Sequence, residues 1–226
     1  MRGVFVTGTD TGIGKTLVSC GLLRAFAAAG LRSVGMKPVA SGARRTPDGL
    51  RNEDALAIQS SASEALPYEW INPYAFEPPI APHIAAAEVG VTVELPVLRD
   101  AYARLCGYGE VIVVEGVGGW QVPLSGGFGV PDLARALELP VLMVVGMRLG
   151  CLNHALLTAR AIRADGLQLA GWVANHSDPG FLRARENLVS LRNALSAPLL
   201  GEIPYFPTQQ DAHPERHLDA AARQLA

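Results

Sequence analysis

The fold is decided by the stretch Gly8-Thr9-Asp10-Thr11-Gly12-Ile13-Gly14-Lys15-Thr16. It follows a short apolar run at residues 4–6, which predicts a strand, and it precedes apolar residues at helical spacing. A glycine-rich turn between a strand and a helix is typical of a phosphate-binding loop (P-loop), because backbone N–H groups and the helix N-terminus surround an anion. We therefore predict a nucleotide-binding site, in which Lys15 reaches the outer phosphates and the Thr16 hydroxyl ligates Mg²⁺.

The loop departs from the standard P-loop spacing. Four residues normally separate the first glycine from Gly-Lys, whereas counting from Gly8 leaves five, because Thr9 stands where that glycine would be. An ordinary strand-to-helix turn that happens to contain a lysine is the alternative. The strand pattern before the loop and the helix pattern after it favour the P-loop.

Length and composition indicate one compact domain. The 226 residues are 49% apolar and 18% charged, which suits a single core, and we predict one domain over residues 1–226. The net charge of −2 and the lack of a basic run predict neither nucleic acid nor a membrane as partner. Three cysteines without metal or redox spacing, and no signal-type apolar stretch, predict a cytoplasmic protein.

Six apolar runs alternate with helical patterns along the chain. Continuous apolar runs are typical of parallel strands buried on both faces, so we predict an α/β fold of the P-loop NTPase type: a doubly wound, mainly parallel sheet with helices on both faces. The predicted strands cover residues 4–6, 33–39, 110–116, 139–146, 169–174 and 198–203. Helices are predicted after the P-loop, from about residue 52, and over 83–89, 96–106, 152–164 and 181–194. Residues 40–52 are predicted to be a polar loop, and residues 72–82 too proline-rich for regular structure.

Polar residues at the carboxyl ends of the strands are the candidates for chemistry, because ligands of open α/β sheets bind there. Glu115 closes a buried apolar run, where a carboxylate is costly unless it is paired or metal-bound, and we expect it near Mg²⁺. Lys37 ends a strand that we expect beside the P-loop strand. Asn175 either reads a purine edge or simply ends its strand, and Asp54 either serves the site or only complements a helix dipole.

Three further polar residues are not singled out by the pattern, which gives Ser41, His83 and His154 no more than surface or capping roles. Lys15 and Lys37 are both expected at the solvent-facing mouth of the sheet, where they would matter for turnover more than for folding. Residues 146–153 lead from a strand end into a helix N-terminus, whose free N–H groups suit a carboxylate. There Asn153 either adds a donor or caps its own helix.

Nine parts of the sequence resemble the dethiobiotin synthetase family, in that family's order. They are residues 8–16, 37–42, 50–55, 72–74, 81–83, 115–119, 149–154, 171–175 and 201–204. The five-residue P-loop spacing is itself a trait of this family. The resemblance implies ATP-dependent ring closure of 7,8-diaminopelargonate with CO₂, through a carbamate and a carbamic-phosphoric anhydride, to give dethiobiotin, ADP and phosphate. It also implies Mg²⁺ as cofactor and a homodimer whose substrate site is shared across the interface.

The resemblance implies roles for individual residues. The implied catalytic residues, which neutralise negative charge, are Lys15 and Lys37. The implied Mg²⁺ ligands are Thr16, Asp54 and Glu115. The implied nucleotide-binding residues are Thr11, Gly12, Ile13, Gly14, Lys15, Thr16, Leu17, Asp54, Glu115, Gly116, Val117, Gly118, Asn175, His176, Pro204, Tyr205, Phe206 and Asp211. The implied substrate-binding residues are Lys37, Ser41, Gly118, Leu149, Gly150, Cys151 and Asn153.

The sequence also departs from the family pattern. Gly12 stands where some members have an acidic residue, Asn187 stands where some have a tyrosine, and Asp211 lies in a segment that does not align clearly. The competing class is a P-loop ATPase switch of the partitioning or cell-division type. Those proteins carry an extra lysine early in the loop, where this chain has Asp10. An amidoligase domain of the cobyric-acid type is a second enzyme alternative.

Overall fold

The structure is a computed structural model that describes residues 2–208 and 212–226. Within them the strands are β1 (Arg2–Gly8), β2 (Ser33–Met36), β3 (Val39–Ser41), β4 (Arg44–Thr46), β5 (Gly49–Arg51), β6 (Tyr74–Phe76), β7 (Val111–Glu115), β8 (Pro123–Ser125), β9 (Phe128–Gly129), β10 (Val141–Gly146), β11 (Leu169–Asn175) and β12 (Leu199–Ile203). The helices are α1 (Lys15–Ala28), α2 (Glu53–Ser61), α3 (Tyr68–Ile71), α4 (Pro82–Glu88), α5 (Leu95–Cys106), α6 (Val130–Ala136), α7 (Cys151–Ala164), α8 (Ala184–Ala194), α9 (Asp219–Leu225) and a 3₁₀ helix (Pro214–His217).

The main sheet places β1 at its centre. Its strand order is β12-β11-β10-β1-β7-β2, and all neighbouring pairs run parallel. Successive residues of a strand point to opposite faces, and every residue of β2, β7, β10 and β11 is buried, so both faces are covered. The predicted doubly wound, parallel α/β sheet is therefore confirmed.

Helix α1 is held by the apolar face that its sequence predicts. The side chains of Val18, Leu22, Leu23 and Phe26 are all fully buried. Each such side chain stabilises the fold by about 1.5–3 kcal/mol relative to exposure, so this face is enough to fix the helix on the sheet. Gly30, with φ of 82°, follows the helix end in the left-handed conformation that glycine tolerates. The packing of α1 thus fixes where the P-loop ends.

The predicted second strand is interrupted at its carboxyl end. β2 ends at Met36, and after Pro38, which has no N–H to donate, β3 starts and pairs with β6 in a separate small sheet. The expectation that Lys37 follows a strand beside β1 is wrong, because β7 lies between β1 and β2. Both edges of β1 are taken by β7 and β10, so β2 can pair only on the far side of β7.

Two segments expected to be irregular contain short strands. In residues 40–52, β4 and β5 form a hairpin whose turn is closed by the Thr46 hydroxyl, which donates to the Gly49 carbonyl at 2.8 Å. In residues 72–82, β6 pairs with β3 even though prolines surround it. The Asn72 side chain helps, since its amide donates to the carbonyls of Lys37 (2.7 Å) and Tyr74 (3.1 Å). Backbone pairing and side-chain hydrogen bonds thus order both segments together.

Helix positions follow the sequence patterns with small shifts. The Asn52 side chain caps α2 by accepting from the Ala55 N–H at 3.2 Å, as the predicted start requires. α8 begins at Ala184, three residues later than expected, and α3, α6, α9 and the 3₁₀ helix were not predicted. In the two described ranges, none of the helices has the length and apolar character to cross a membrane.

Candidate nucleotide and substrate site

The P-loop joins the carboxyl end of β1 to the start of α1. Its backbone turns through Gly12 (φ 71°) and Gly14 (φ 91°), both in the left-handed region that favours glycine. A Cβ at Gly14 would lie 2.2 Å from Nδ2 of Asn175, so a larger residue is also excluded by space. The Lys15 ammonium is folded back within this loop, where it donates to the Asp10 carbonyl at 2.9 Å. The predicted loop is therefore present and compact.

One cavity gathers much of the predicted site. It measures about 820 Å³ and opens at the carboxyl edge of the main sheet, between the P-loop, the end of β7 and the turn before α4. Predicted site residues that line it are Thr11, Gly12, Gly14, Lys15, Thr16, Leu17, Lys37, Ser41, Asp54, Glu115, Val117 and Gly118. Thr16 and Glu115, which are 99 positions apart in the sequence, thus meet in one concave surface, which is typical of a ligand site.

Lys37 lies at the centre of what we call the acid–lysine cluster, formed by Thr16, Lys37, Asp54 and Glu115. The Lys37 ammonium is 2.5 Å from Oε1 of Glu115 and 3.2 Å from Oδ2 of Asp54, and it donates to the Gly116 carbonyl at 3.3 Å. The expectation of two solvent-facing lysines is wrong, because both Lys15 and Lys37 are buried. Carboxylates from β7 and α2 compensate the charge of Lys37 below the surface.

Burial and neighbouring charges compete in setting the pKa values of this cluster. Burial alone would lower the pKa of Lys37, but Glu115 and Asp54 raise it above its usual value. Burial alone would raise the pKa of Asp54, yet Lys37 and the Thr16 hydroxyl hold it below its usual value. Lys15 has less compensation: burial, then the charge of Lys37, lower its pKa from 10.5 to about 8. The cavity therefore holds one strongly paired ammonium and one poorly compensated one.

The predicted Mg²⁺ ligands meet in the acid–lysine cluster. The Thr16 hydroxyl donates to Oε1 of Glu115 at 2.9 Å. The Lys37 ammonium contacts that same oxygen and also the Asp54 carboxylate, so it bridges the two acids. Oε2 of Glu115 is fully buried and has no hydrogen-bond partner among the residues that the structure describes. Two carboxylates and a hydroxyl are ligands that Mg²⁺ accepts, and the buried oxygen without a partner leaves one of them available. This donor set fits the ion.

Asp54 satisfies both of the alternatives that the sequence leaves open. It lies in the first turn of α2, where a carboxylate complements the helix dipole, and it also reaches Lys37 in the cavity. Asn175 likewise does more than end β11. Its buried side chain donates from Nδ2 to the Ile13 carbonyl at 2.8 Å and so braces the P-loop. Its reading of a purine edge stays a prediction.

Some of the residues predicted to bind the nucleotide line a second cavity of about 570 Å³, whereas Asn175 and Phe206 do not line it. His176, Pro204 and Tyr205 are among its lining residues, and Nε2 of His176 is 2.9 Å from a carboxylate oxygen of Glu202. The ring of Phe206 lies 6.2 Å from that of His217, centroid to centroid. The prediction for Asp211 lies outside the described residues.

The segment predicted to bind the substrate carboxylate lies at the start of α7. Leu149 is 92% exposed, Gly150 (φ 94°) is the N-cap residue, and Cys151 is buried. Asn153 is exposed and does not cap its helix, since in this described segment α7 has no side-chain cap hydrogen bond. The Asn187 side chain instead binds locally, donating to the Arg183 carbonyl at 2.9 Å.

The remaining polar residues have different surroundings. Ser41 lines the main cavity, and its hydroxyl is buried without a hydrogen-bond partner in the parts of the chain that the structure describes. The same holds for Nδ1 of His83, although His83 does not line that cavity. His154 is partly buried in α7. An available hydroxyl in the cavity suits Ser41 for ligand contact.

The rarity of lysine is a further signal for the site in the sequence. Lys15 and Lys37 are the only two lysines of the sequence, and the rest of its 19 Lys and Arg residues are arginines. Composition alone would have selected both residues. The structure also adds Arg148, whose guanidinium pairs with the Asp10 carboxylate of the P-loop. No spacing rule indicates this pair, because the two residues are 138 positions apart.

Comparisons with known proteins relate this chain to proteins named dethiobiotin synthetase. A family model described as an AAA domain matches residues 2–212. A protein of Xanthomonas oryzae pv. oryzae named ATP-dependent dethiobiotin synthetase BioD is 56% identical over 208 residues, which cover 92% of this chain and 93% of that protein. A protein of the same name from Pseudomonas paraeruginosa is 53% identical over 220 residues, covering 97% and 96%.

Solved structures give the same fold at much lower identity. The MinC:MinD cell division protein complex of Aquifex aeolicus matches with a TM-score of 0.61 at 15% identity, covering 100% of this chain and 95% of that one. A ParA family ATPase of Chlorobium tepidum matches with a TM-score of 0.60 at 11% identity, covering 98% of each chain. At such identities the likeness concerns the fold alone, and it confirms the P-loop NTPase type.

Proposed function

The chain belongs to the ATP-dependent dethiobiotin synthetase family, and from that premise we propose how its site residues act. Relatives more than 50% identical over nearly the whole chain carry this one name. The protein is therefore an ATP-dependent ligase that forms dethiobiotin in biotin biosynthesis, from diaminopelargonate and CO₂. A partitioning or cell-division switch is not favoured, since the likeness to such proteins extends only to the fold.

The P-loop would hold the phosphates of ATP. Residues of the loop and the first residues of α1 line the main cavity, where backbone N–H groups of such a loop suit an anion, and the Lys15 ammonium donates to the Asp10 carbonyl there. We propose that the Lys15 ammonium exchanges this carbonyl for an outer phosphate oxygen when ATP binds. A charged phosphate is a stronger hydrogen-bond acceptor than a neutral carbonyl, and it compensates the burial of Lys15.

Lys37 would neutralise the reacting groups. One amine of diaminopelargonate attacks CO₂ and loses a proton, giving a carbamate whose oxygen then attacks the γ-phosphorus as ADP leaves. The second amine attacks the carbonyl carbon of the resulting anhydride, phosphate leaves, and the cyclic urea closes with loss of a proton. These steps require positioning and charge neutralisation rather than a nucleophilic side chain. Lys15 and Lys37 supply the positive charge, and Ser41 supplies a hydroxyl at the reacting end of the substrate.

The acid–lysine cluster is the observation that carries this proposal. It brings both predicted carboxylates, the P-loop threonine and a buried lysine together beside the phosphate loop. Thr16, Asp54 and Glu115 would hold Mg²⁺, which when bound neutralises phosphate charge during phosphoryl transfer. The base of ATP would lie against Asn175, His176 and residues 204–206. Use of ATP also supports our proposal of a cytoplasmic location.

A homodimer would complete the substrate site. Leu149 is 92% exposed at the start of α7, and Gly150 and Asn153 lie beside it. An exposed leucine at a helix N-terminus suits a surface that a second copy covers, and the carboxylate of diaminopelargonate suits the N–H groups of a first helical turn. We propose that this segment of one subunit binds the carboxylate of a substrate whose amines lie near Lys37 of the other.

The reaction itself is tested with the purified protein. It is incubated with 7,8-diaminopelargonate, bicarbonate and Mg-ATP, and the products are analysed by mass spectrometry. The expected result is the cyclic urea together with equal amounts of ADP and phosphate. Hydrolysis of ATP without any ureido product would contradict the proposed function.

A further inference from the structure

A carboxylate is built into the phosphate-binding loop. Oδ1 of Asp10 accepts from the Thr11 N–H at 2.7 Å, and the Asp10 carbonyl accepts from the Lys15 ammonium at 2.9 Å. Asp10 also lines the main cavity, with Thr11 and Lys15. Like charges within a few ångströms repel, so this carboxylate by itself opposes the binding of polyphosphate in the same loop. The loop therefore needs a positive group that compensates Asp10.

Arg148 provides that group from another part of the chain. It lies in the connection between β10 and α7, and its guanidinium contacts Oδ2 of Asp10. The other oxygen, Oδ1, stays on the Thr11 N–H, so Arg148 and the loop backbone hold the two sides of one carboxylate. Asp10 is thus neutralised and oriented at the same time, and its carbonyl is held where Lys15 rests.

The geometry points to Arg148 as a positioning residue for the nucleotide: by pairing with Asp10, it removes negative charge from the P-loop and fixes the carbonyl on which Lys15 waits. This inference rests on the proposed function, because it assigns ATP to the loop. Arg148 acts through Asp10, and no contact between Arg148 and the substrate is required.

The size of the pair's effect separates binding from stability. The side chains of Arg148 and Asp10 are 43% and 44% exposed, and ion pairs this exposed contribute little to folding. The effect on nucleotide binding is larger, because a released Asp10 charge faces several phosphate charges at once. We expect Arg148→Ala to raise the dissociation constant of Mg-ADP and the KM for ATP by about tenfold. The melting temperature and kcat at saturating ATP should stay close to wild type.

The decisive variant removes the acid as well. Asp10→Asn keeps an oxygen to accept from the Thr11 N–H but carries no charge, so it no longer needs Arg148. In the double variant Arg148→Ala/Asp10→Asn, Mg-ADP affinity measured by calorimetry should return to within about twofold of the Asp10→Asn value. Arg148→Lys, which keeps the positive charge, should retain most of the wild-type affinity.

Arg135→Ala is the matched control. Arg135 forms an ion pair with Asp132 whose side chains are 51% and 42% exposed, and it also donates to the Asp165 carbonyl. The residues of α6, all of them described, do not line the main cavity. The Mg-ADP affinity of this variant should equal that of wild type. Unchanged Mg-ADP affinity in Arg148→Ala, or a double variant as weak as Arg148→Ala, would overturn the inference. Because ADP binding needs no turnover, a wild type that binds ADP but makes no ureido product would contradict the proposed function and leave this test valid.

Discussion

The Lys37 ammonium lies 2.5 Å from a carboxylate oxygen of Glu115 even though the two side chains are only 4% and 0% exposed. Such a pair has two consequences that oppose each other. Each charge stabilises the other inside the protein, but removal of either partner leaves an uncompensated charge without water. The same residues are the ones that the proposed reaction needs, so folding and activity are coupled at this position.

We expect Lys37→Met to destabilise the ligand-free protein, by about 3–5 kcal/mol in the free energy of unfolding, because Glu115 is left buried and unpaired. Urea unfolding gives this value. The double variant Lys37→Met/Glu115→Gln should recover much of the loss, since neither charge remains. A single variant as stable as wild type would show that water or movement of Glu115 compensates the charge. Both variants should lack activity.

We also expect Lys37 and a divalent cation to compete for Glu115 and Asp54. Mn²⁺ binding without nucleotide, followed by electron paramagnetic resonance, should be at least tenfold tighter in Lys37→Met than in wild type, because the ammonium no longer occupies the carboxylates. Nuclear magnetic resonance gives an independent test, because the sequence has only two lysines and their signals are easily distinguished. In protein labelled with ¹³C at the lysine Cε, saturating Mg²⁺ should shift the Lys37 resonance. Equal Mn²⁺ affinity in both proteins would argue against a shared site.

The lowered pKa of Lys15 predicts how stability depends on pH. Lys15 titrates at about 8 in the folded protein against a usual value of 10.5, so between these pH values the unfolded chain binds more protons. The free energy of unfolding should therefore rise with pH across this window. Below about pH 8 the folded state carries the whole cost of burying the ammonium, about 3 kcal/mol for a shift from 10.5 to about 8.

Lys15→Met tests that dependence directly. The ligand-free variant should be more stable than wild type at pH 7, and its stability should change less between pH 8 and 10. Mg-ADP binding should be lost, because the ammonium that reaches the phosphates is gone. Urea unfolding at several pH values, with calorimetry for ADP, measures both effects. A variant with the wild-type pH profile would show that Lys15 does not cause it.

Asn175→Ala should weaken the binding of both ATP and GTP, since the Nδ2 donor to the Ile13 carbonyl that braces the P-loop is lost. We expect about a tenfold loss for each nucleotide, consistent with one buried hydrogen bond of about 1.5 kcal/mol. If Asn175 also reads the base, the preference for ATP over GTP should become smaller. Unaltered affinity for both nucleotides would leave Asn175 as no more than a strand end.

The shared substrate site can be tested by complementation. Lys37→Met and an Asn153 variant with strongly reduced activity are mixed, and mixed dimers are isolated with two affinity tags. If each site combines Lys37 of one subunit with Asn153 of the other, one site of a mixed dimer carries both changes and the other carries none. Activity should then return to about half of wild type. Verified mixed dimers without activity would show that the site lies within one chain.

Local features of the fold were predictable, and relations between distant segments were not. The P-loop, the apolar face of α1 and the buried strands follow from motif and periodicity, which act over a few residues. The order of strands does not, so Lys37 was expected beside β1 although β7 intervenes. Its burial was missed for the same reason: its partner Glu115 is 78 positions away. The sequence does not predict the hairpin of β4 and β5, because its residues are exposed or half-buried and mostly polar, so that no apolar alternation marks the backbone pairing.

The central position of β1 has a consequence for synthesis on the ribosome. β1 emerges before both of its neighbours, β7 and β10, and in the described sheet β2 pairs only with β7. Neither β1 nor β2 therefore has a partner in the main sheet until residues 111–115 have been synthesised. Until then the edges of both apolar strands are open to pairing with other chains. Nucleotide therefore cannot assist folding before the strands that support the P-loop have been translated, although the P-loop itself emerges directly after β1.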